Sequence, residues 1–241
     1  MKTRFAVLCL GLLLVTATCS WATTVYSWEM NASFAGLSRQ IANNDIIEGM
    51  NVTNGGAVIE AGGFHSAFPD QNDAHYLTDG QLGDNVKSVL QDYGRPSLKI
   101  RYEFAPHPVW EILSFGGNPG KDGRVFQDVD IELLVEGSWF EIIHEATTGP
   151  YFVHNGGRWE GSLIRVYEQE GGLLLGGLPI GGVRMTYWSP DNTQDWFLPR
   201  DDPNAVCASI IKEIDVTVPE PASMLALLAG VGGILIRRRS R

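Results

Sequence analysis

Apolar and polar positions alternate with a period of two along the middle of the chain. In Leu98-Lys99-Ile100-Arg101-Tyr102-Glu103-Phe104 the apolar residues share one face and the charges the other. That is the pattern of a strand with one buried side. Val129, Ile131, Leu133 and Val135 alternate in the same way with Asp128, Asp130, Glu132 and Leu134. Further strand-like runs lie at 109–115, 139–143, 163–167, 183–188 and 210–216. Gly-rich breaks separate them, at Gly116-Gly117-Asn118-Pro119-Gly120, Asn155-Gly156-Gly157 and Gly171-Gly172. Glu136-Gly137-Ser138 joins two alternating runs and predicts a tight hairpin. The pattern holds no long amphipathic helix; 34–43 and 86–93 each predict one short helical turn. Many short strands with no repeat and no internal linker predict an all-β chain, a single jelly-roll-type β-sandwich over 23–218.

The ends follow a different pattern. Residues 1–22 read as a signal peptide. Lys2 and Arg4 precede an apolar run at 5–15, and Ser20-Trp21-Ala22 offers a small-x-small cleavage site. At the other end, Val218-Pro219-Glu220-Pro221 leads into an apolar run at 222–236 and then Arg237-Arg238-Arg239. A helix over that run, at about 1.5 Å per residue, predicts a short transmembrane segment with its arginines held in the cytoplasm. Pro219 and Pro221 keep the preceding stretch extended and open to a protease. The three parts, in this order over 219–241, resemble the PEP-CTERM sorting signal. The resemblance implies a Gram-negative host, recognition by an exosortase at the inner membrane, and removal of the tail. Delivery would then be to the cell envelope or extracellular matrix.

Charge narrows the partners. The 241 residues carry a formal net charge of −10. Without Lys2, Arg4, Arg237, Arg238, Arg239, Arg241 and Glu220, the 196 residues of 23–218 keep 12 basic and 27 acidic side chains, a net −15. Nucleic acid is excluded as a partner, since phosphate neutralisation needs clustered Lys and Arg. An acidic domain suits divalent cations or neutral ligands. Cys207 is the one cysteine left in this span, so it forms no internal disulfide.

Leu77-Thr78-Asp79-Gly80 before the 98–104 strand, and Ile211-Lys212-Glu213-Ile214-Asp215-Val216 near the end, resemble the discoidin-type, galactose-binding-like sandwich over about 56–218. That resemblance implies a glycan or surface ligand bound by loops at one end, and a structural Ca2+. Four carboxylates, Asp70, Asp73, Asp79 and Asp84, fall in one Gly-containing stretch and are the candidate calcium ligands, calcium taking several oxygens from an irregular loop. Asp79 matches the family motif; the other three rest on local composition, against which stands the plain reading of a solvated turn. Tyr187, Trp188 and Trp196 flank the polar loop Asp191-Asn192-Thr193-Gln194-Asp195 and are candidates for stacking on sugar rings. The competing reading puts these aromatics in the core.

No catalytic set emerges. The five histidines are scattered, there is no H-E-x-x-H or G-x-S-x-G, and the Gly-rich 171–177 stretch lacks Gly-Lys-Ser/Thr. The expected function is a non-catalytic module for extracellular polysaccharide, without an essential cofactor. The alternatives are a purely structural surface protein and a polysaccharide hydrolase with unrecognised carboxylates.

Overall fold

Every run with period-two alternation forms a strand. The computed structural model describes residues 23–66, 74–82, 88–91, 96–117, 124–148, 158–189 and 209–219. In chain order the described strands are β1 (Thr24–Asn31), β2 (Ala57–Gly62), β3 (Leu98–His107), β4 (Glu111–Gly117), β5 (Asp128–Val135), β6 (Ser138–Thr147), β7 (Gly161–Glu168), β8 (Ile180–Tyr187) and β9 (Ile211–Thr217). β1 and β2 are the two that the alternation did not single out. They build a four-stranded sheet, β1-β7-β4-β9, and a five-stranded sheet, β2-β3-β8-β5-β6. All pairings between these strands are antiparallel. The two sheets form a β-sandwich around one main core.

Register explains which side chains enter that core. Ile100 opposes Met185 and Tyr102 opposes Val183; Ile131 in turn opposes Met185. Across the gap, Ile112 opposes Val166 and Val216. All of these are buried in a single cluster. Burying each large apolar side chain stabilises by about 1.5–3 kcal/mol, so these inner faces dominate the fold. One polar column crosses the core. Ser114 Oγ donates to Gln127 Oε1 (2.6 Å) and lies 2.8 Å from Tyr187 Oη. The Ser114 proton is thus committed to Gln127, and the Tyr187 hydroxyl donates to Ser114. This satisfies the tyrosine inside the core.

The hairpin at 136–137 has the geometry the sequence predicts. Glu136 and Gly137 both have positive φ, +50° and +79°, as a two-residue type I′ turn demands. The helical turn expected in 34–43 is present as α1 (Phe34–Leu37) followed by a 3-10 turn at Ser38–Gln40. The one expected in 86–93 is not helical where it is described. Leu90 N–H donates to Ser209 O and Val89 bridges to Ile210, so this segment spends its backbone groups against β9. Among the described residues no helix is long and apolar enough to cross a membrane. The signal peptide at 1–22 and the helix at 222–236 lie outside the described residues.

α1 covers the outer face of the four-stranded sheet. Phe34 and Leu37 pack with Leu82 against Leu113, Phe115 and Leu163. The approach needs glycine beneath it: a Cβ on Gly117 would stand 2.1 Å from Phe34, and one on Gly161 2.5 Å from Leu37. The outer face of the five-stranded sheet is instead a charged surface, with Arg184 against both Glu60 and Glu132 at 3.0 Å.

Candidate functional site

Two places combine polar chemistry with fixed geometry, on opposite faces of the sandwich. The first lies under the cover of the four-stranded sheet. Strand alternation puts Glu213 and Asp215 on the outer face of β9, opposite Phe115 and Leu113 of β4. Residues 42–47 fold back over this face and bring in Asp45. Asp45, Glu213 and Asp215 each offer one carboxylate oxygen within 4.8 Å of the others. Glu213 is 0% exposed and Asp215 only 1%.

Main-chain donors hold each group. Asp45 Oδ1 accepts from Val216 N–H (2.7 Å) and Ile47 N–H (3.1 Å). Asp215 Oδ2 accepts from Ala42 N–H (2.7 Å), and Glu213 Oε2 from Gln81 N–H (3.2 Å). The cluster therefore ties two loops, 42–47 and 79–81, to β9. One oxygen of each carboxylate is left over: Asp45 Oδ2, Glu213 Oε1 and Asp215 Oδ1 are buried without a hydrogen-bond partner.

Such an arrangement cannot hold three negative charges unaided. Burial, reinforced by the charge of Asp215, pushes the Glu213 carboxyl up to about 10. Burial raises Asp45 to about 7 and Asp215 to about 6 against opposing main-chain hydrogen bonds. The group needs either retained protons or a cation. Hard oxygen donors converging from loops and a strand fit Ca2+, which accepts irregular carboxylate sets.

None of the three clustered carboxylates is among the candidate calcium ligands read from the sequence. Asp70, Asp73 and Asp84 lie outside the described residues. Asp79 is described and half-buried, with Oδ1 accepting from Gln81 N–H at 3.1 Å. Its charge acts on Glu213, so it stands beside the cluster rather than in it. Asp45 and the β9 pair were missed. Two acids at i and i+2 on a strand normally mean a solvated face, and only the apolar cover reverses that reading.

The second place is on the outer face of the five-stranded sheet, where β8 ends. Trp188 is half-buried, and its Nε1–H donates to Asp130 Oδ2 at 2.7 Å. Asp130 Oδ1 accepts from Glu145 N–H (2.8 Å) and lies 3.3 Å from His144 Nδ1. Glu141 is 3.6 Å from the same imidazole nitrogen. The register slips in β5–β6 between Val129 and Ile131, and Glu145 sits at φ +57°; at this bulge His144 comes beside Asp130, the hydrogen-bond partner of Trp188. Tyr187 points the other way. It is 0% exposed and bonded to Ser114, so alternation along β8 corrects its sequence reading from ligand-stacking residue to core residue. Trp196 lies outside the described residues. A separate open cleft of about 440 Å³, lined by Glu103, Phe104, Leu134 and Glu136 among others, lies at the other end of this sheet.

No family model matches the chain, and no curated protein does. Solved structures similar to it include the following two. One is the crystal structure of SpGH29, at 12% identity and TM-score 0.40, covering 78% of this chain. The chain spans about 30% of the length of SpGH29. The other is the C-terminal domain of a chitobiase from Bacteroides fragilis, at 14% identity and TM-score 0.38, covering 70% of this chain and 99% of that one.

Proposed function

We propose that this chain is an exported, non-catalytic carbohydrate-binding module of jelly-roll type. The observation that carries the reading is the Trp188–Asp130 hydrogen bond. It locks a half-buried indole in one orientation, beside a histidine and a carboxylate able to read hydroxyls. A pre-oriented aromatic face flanked by a few polar groups suits the apolar face of a sugar ring. Ordering the ring in advance also lowers the entropic cost of binding. The buried carboxylate cluster adds a structural Ca2+ in this reading, fixing the 42–47 and 79–81 loops rather than touching the glycan. The three-part pattern of 219–241 and the leader at 1–22 support export through the inner membrane, exosortase processing, and an envelope or matrix destination.

The test is a glycan array on the folded chain, followed by titration of the best ligand with Trp188→Ala and Asp130→Asn. Binding that falls about five- to thirtyfold in Trp188→Ala, and less in Asp130→Asn, is expected if stacking supplies about 1–2 kcal/mol. No binding to any glycan would favour a purely structural surface protein. Release of reducing ends from a bound polysaccharide would favour a hydrolase.

A further inference from the structure

A sheet edge carries a row of unpaired main-chain groups, which a protein ordinarily covers, bends or charges. Three of the four edges here are managed. β9 is covered by the 44–46 segment, with Ile46 N–H donating to Val216 O (3.0 Å) and Val218 N–H to Asn44 O (3.4 Å). β2 is six residues long and bulged between Ile59 and Ala61. β6 slips register twice against β5 and carries Glu141, His144 and Glu145. β1 has no bulge, and β6 of the facing sheet approaches it without pairing. It pairs with β7 in unbroken register over all eight residues, and among the described residues no strand lies on its other side. Its one charge, Glu29, is drawn over the sheet face, where Gln40 Nε2 donates to it (3.0 Å).

The free groups can be assigned. Gln169 N–H donates to Thr23 O (3.0 Å) in the same register that pairs Thr24 with Glu168. Thr23 and Gln169 thus form a hydrogen-bonded pair, and alternate residues of β1 bond inward. Val25, Ser27 and Glu29 face β7; Thr24, Tyr26, Trp28 and Met30 present their N–H and C=O groups to the open side. Trp28 is 47% exposed there, and Phe140 of the adjacent β6 is 53% exposed.

We propose that two copies of this chain associate through β1, antiparallel and centred on Ser27, joining their four-stranded sheets into one. The strand is self-complementary in that register. Tyr26 meets Trp28 of the second copy and Thr24 meets Met30, so all four outward residues are used. Glu29 meets Val25, so no like charges oppose each other. A register centred on Trp28 would pair Thr24 with Ala32, beyond the strand, and use fewer groups.

Sedimentation velocity on the folded chain tests the association, and cysteine cross-linking tests the register. Dimers are expected, shifting to monomer in Trp28→Pro, which removes an outward N–H and leaves the β7 bonds intact. Trp28→Lys, which places a charge on the edge, gives the same shift if the proline variant fails to fold. With Cys9, Cys19 and Cys207 replaced by serine, Ser27→Cys cross-links two copies, because a two-fold axis brings the two sulfurs within disulfide range. Glu29→Cys does not, its two copies being about 13 Å apart along the strands. A monomeric chain, whatever else binds the edge, overturns the proposal. So does a dimer insensitive to both Trp28 variants, or one cross-linked through 29 and not 27.

Discussion

Glu60 and Glu132, on the outer face of the five-stranded sheet, each stand within 4.0 Å of at least two cationic side chains, Lys99 and Arg184 among them. Glu213 and Asp215, on the outer face of the four-stranded sheet, stand beside each other, and the charges acting most on them are other carboxylates. The residue type is the same; the cover differs. Lysine and arginine pair with the first two carboxylates at the surface, with Trp139 stacked 4.1 Å over Arg184. The 42–47 and 79–81 segments bury the second pair, and among the described residues the charges acting most on it are carboxylates. A sandwich with one open charged face and one sealed acidic face has its stability set by solution chemistry on one side only.

Removing the seal gives the largest effect. Leu37 is fully buried between α1 and Gly161, and Leu37→Ala should cost about 2–5 kcal/mol through lost transfer energy and a residual cavity. Trp139→Ala, on the open face, removes a half-buried cover from Arg184 and should cost about 1 kcal/mol. Urea midpoints of the two variants measure the contrast. Equal losses would mean that α1 does not seal the four-stranded sheet.

The next effect is on pH and calcium. Folding raises the pKa of all three clustered carboxyls, so the folded state keeps protons that the unfolded chain releases. The stability this contributes is fully present below about pH 4, where the unfolded carboxyls are themselves protonated. It is lost as pH rises through about 6 for Asp215, about 7 for Asp45 and about 10 for Glu213. In EDTA the melting temperature should therefore fall between pH 5 and pH 8. Calcium at about 100 times its Kd should restore nearly 3 kcal/mol at pH 8. At pH 5 it competes with protons and should do much less. Melting curves at the two pH values, with and without calcium, check both halves. A curve in EDTA that does not move with pH would contradict the cluster.

The same contrast explains what the sequence showed and what it hid. Alternation in 98–104 and 129–135 located β3 and β5, and Glu136-Gly137 located their neighbour's hairpin, because these features depend on residues adjacent in the chain. β1 escaped because Thr24-Val25-Tyr26-Ser27-Trp28 alternates weakly, an edge strand having no fully buried side. β2 is short and ends in glycine. The carboxylate cluster depends on contacts more than 130 residues apart, such as Gln81 with Glu213 and Ala42 with Asp215. One clue was available. Ile112-Leu113-Ser114-Phe115 is apolar on both faces, which marks a strand covered on both sides, and β9 pairs directly with it. Acids on the partner strand then face a covered layer, not solvent. Tyr187 and Trp188, read together as ligand-stacking residues, are split by the pleat itself.

Single-charge removals make the smallest and sharpest test. Glu213→Gln keeps the volume of the side chain and removes the need for Glu213 to take up a proton on folding, its carboxyl being held up to about 10. In EDTA at pH 8 it should raise stability by about 1–3 kcal/mol, because the unfolded amide has no ionised form to lose. It should also abolish most of the calcium response, since an amide is a weaker ligand for a hard cation. Glu132→Gln, on the open face, should lower stability by less than about 1 kcal/mol, and the loss should shrink in 1 M salt, where exposed pairs are screened. Opposite signs for two identical substitutions are the expected result, measured by melting temperature in the same buffers. If Glu213→Gln is also destabilising in EDTA, the cluster holds its charge by hydrogen bonds alone, and the sealed face needs no cation.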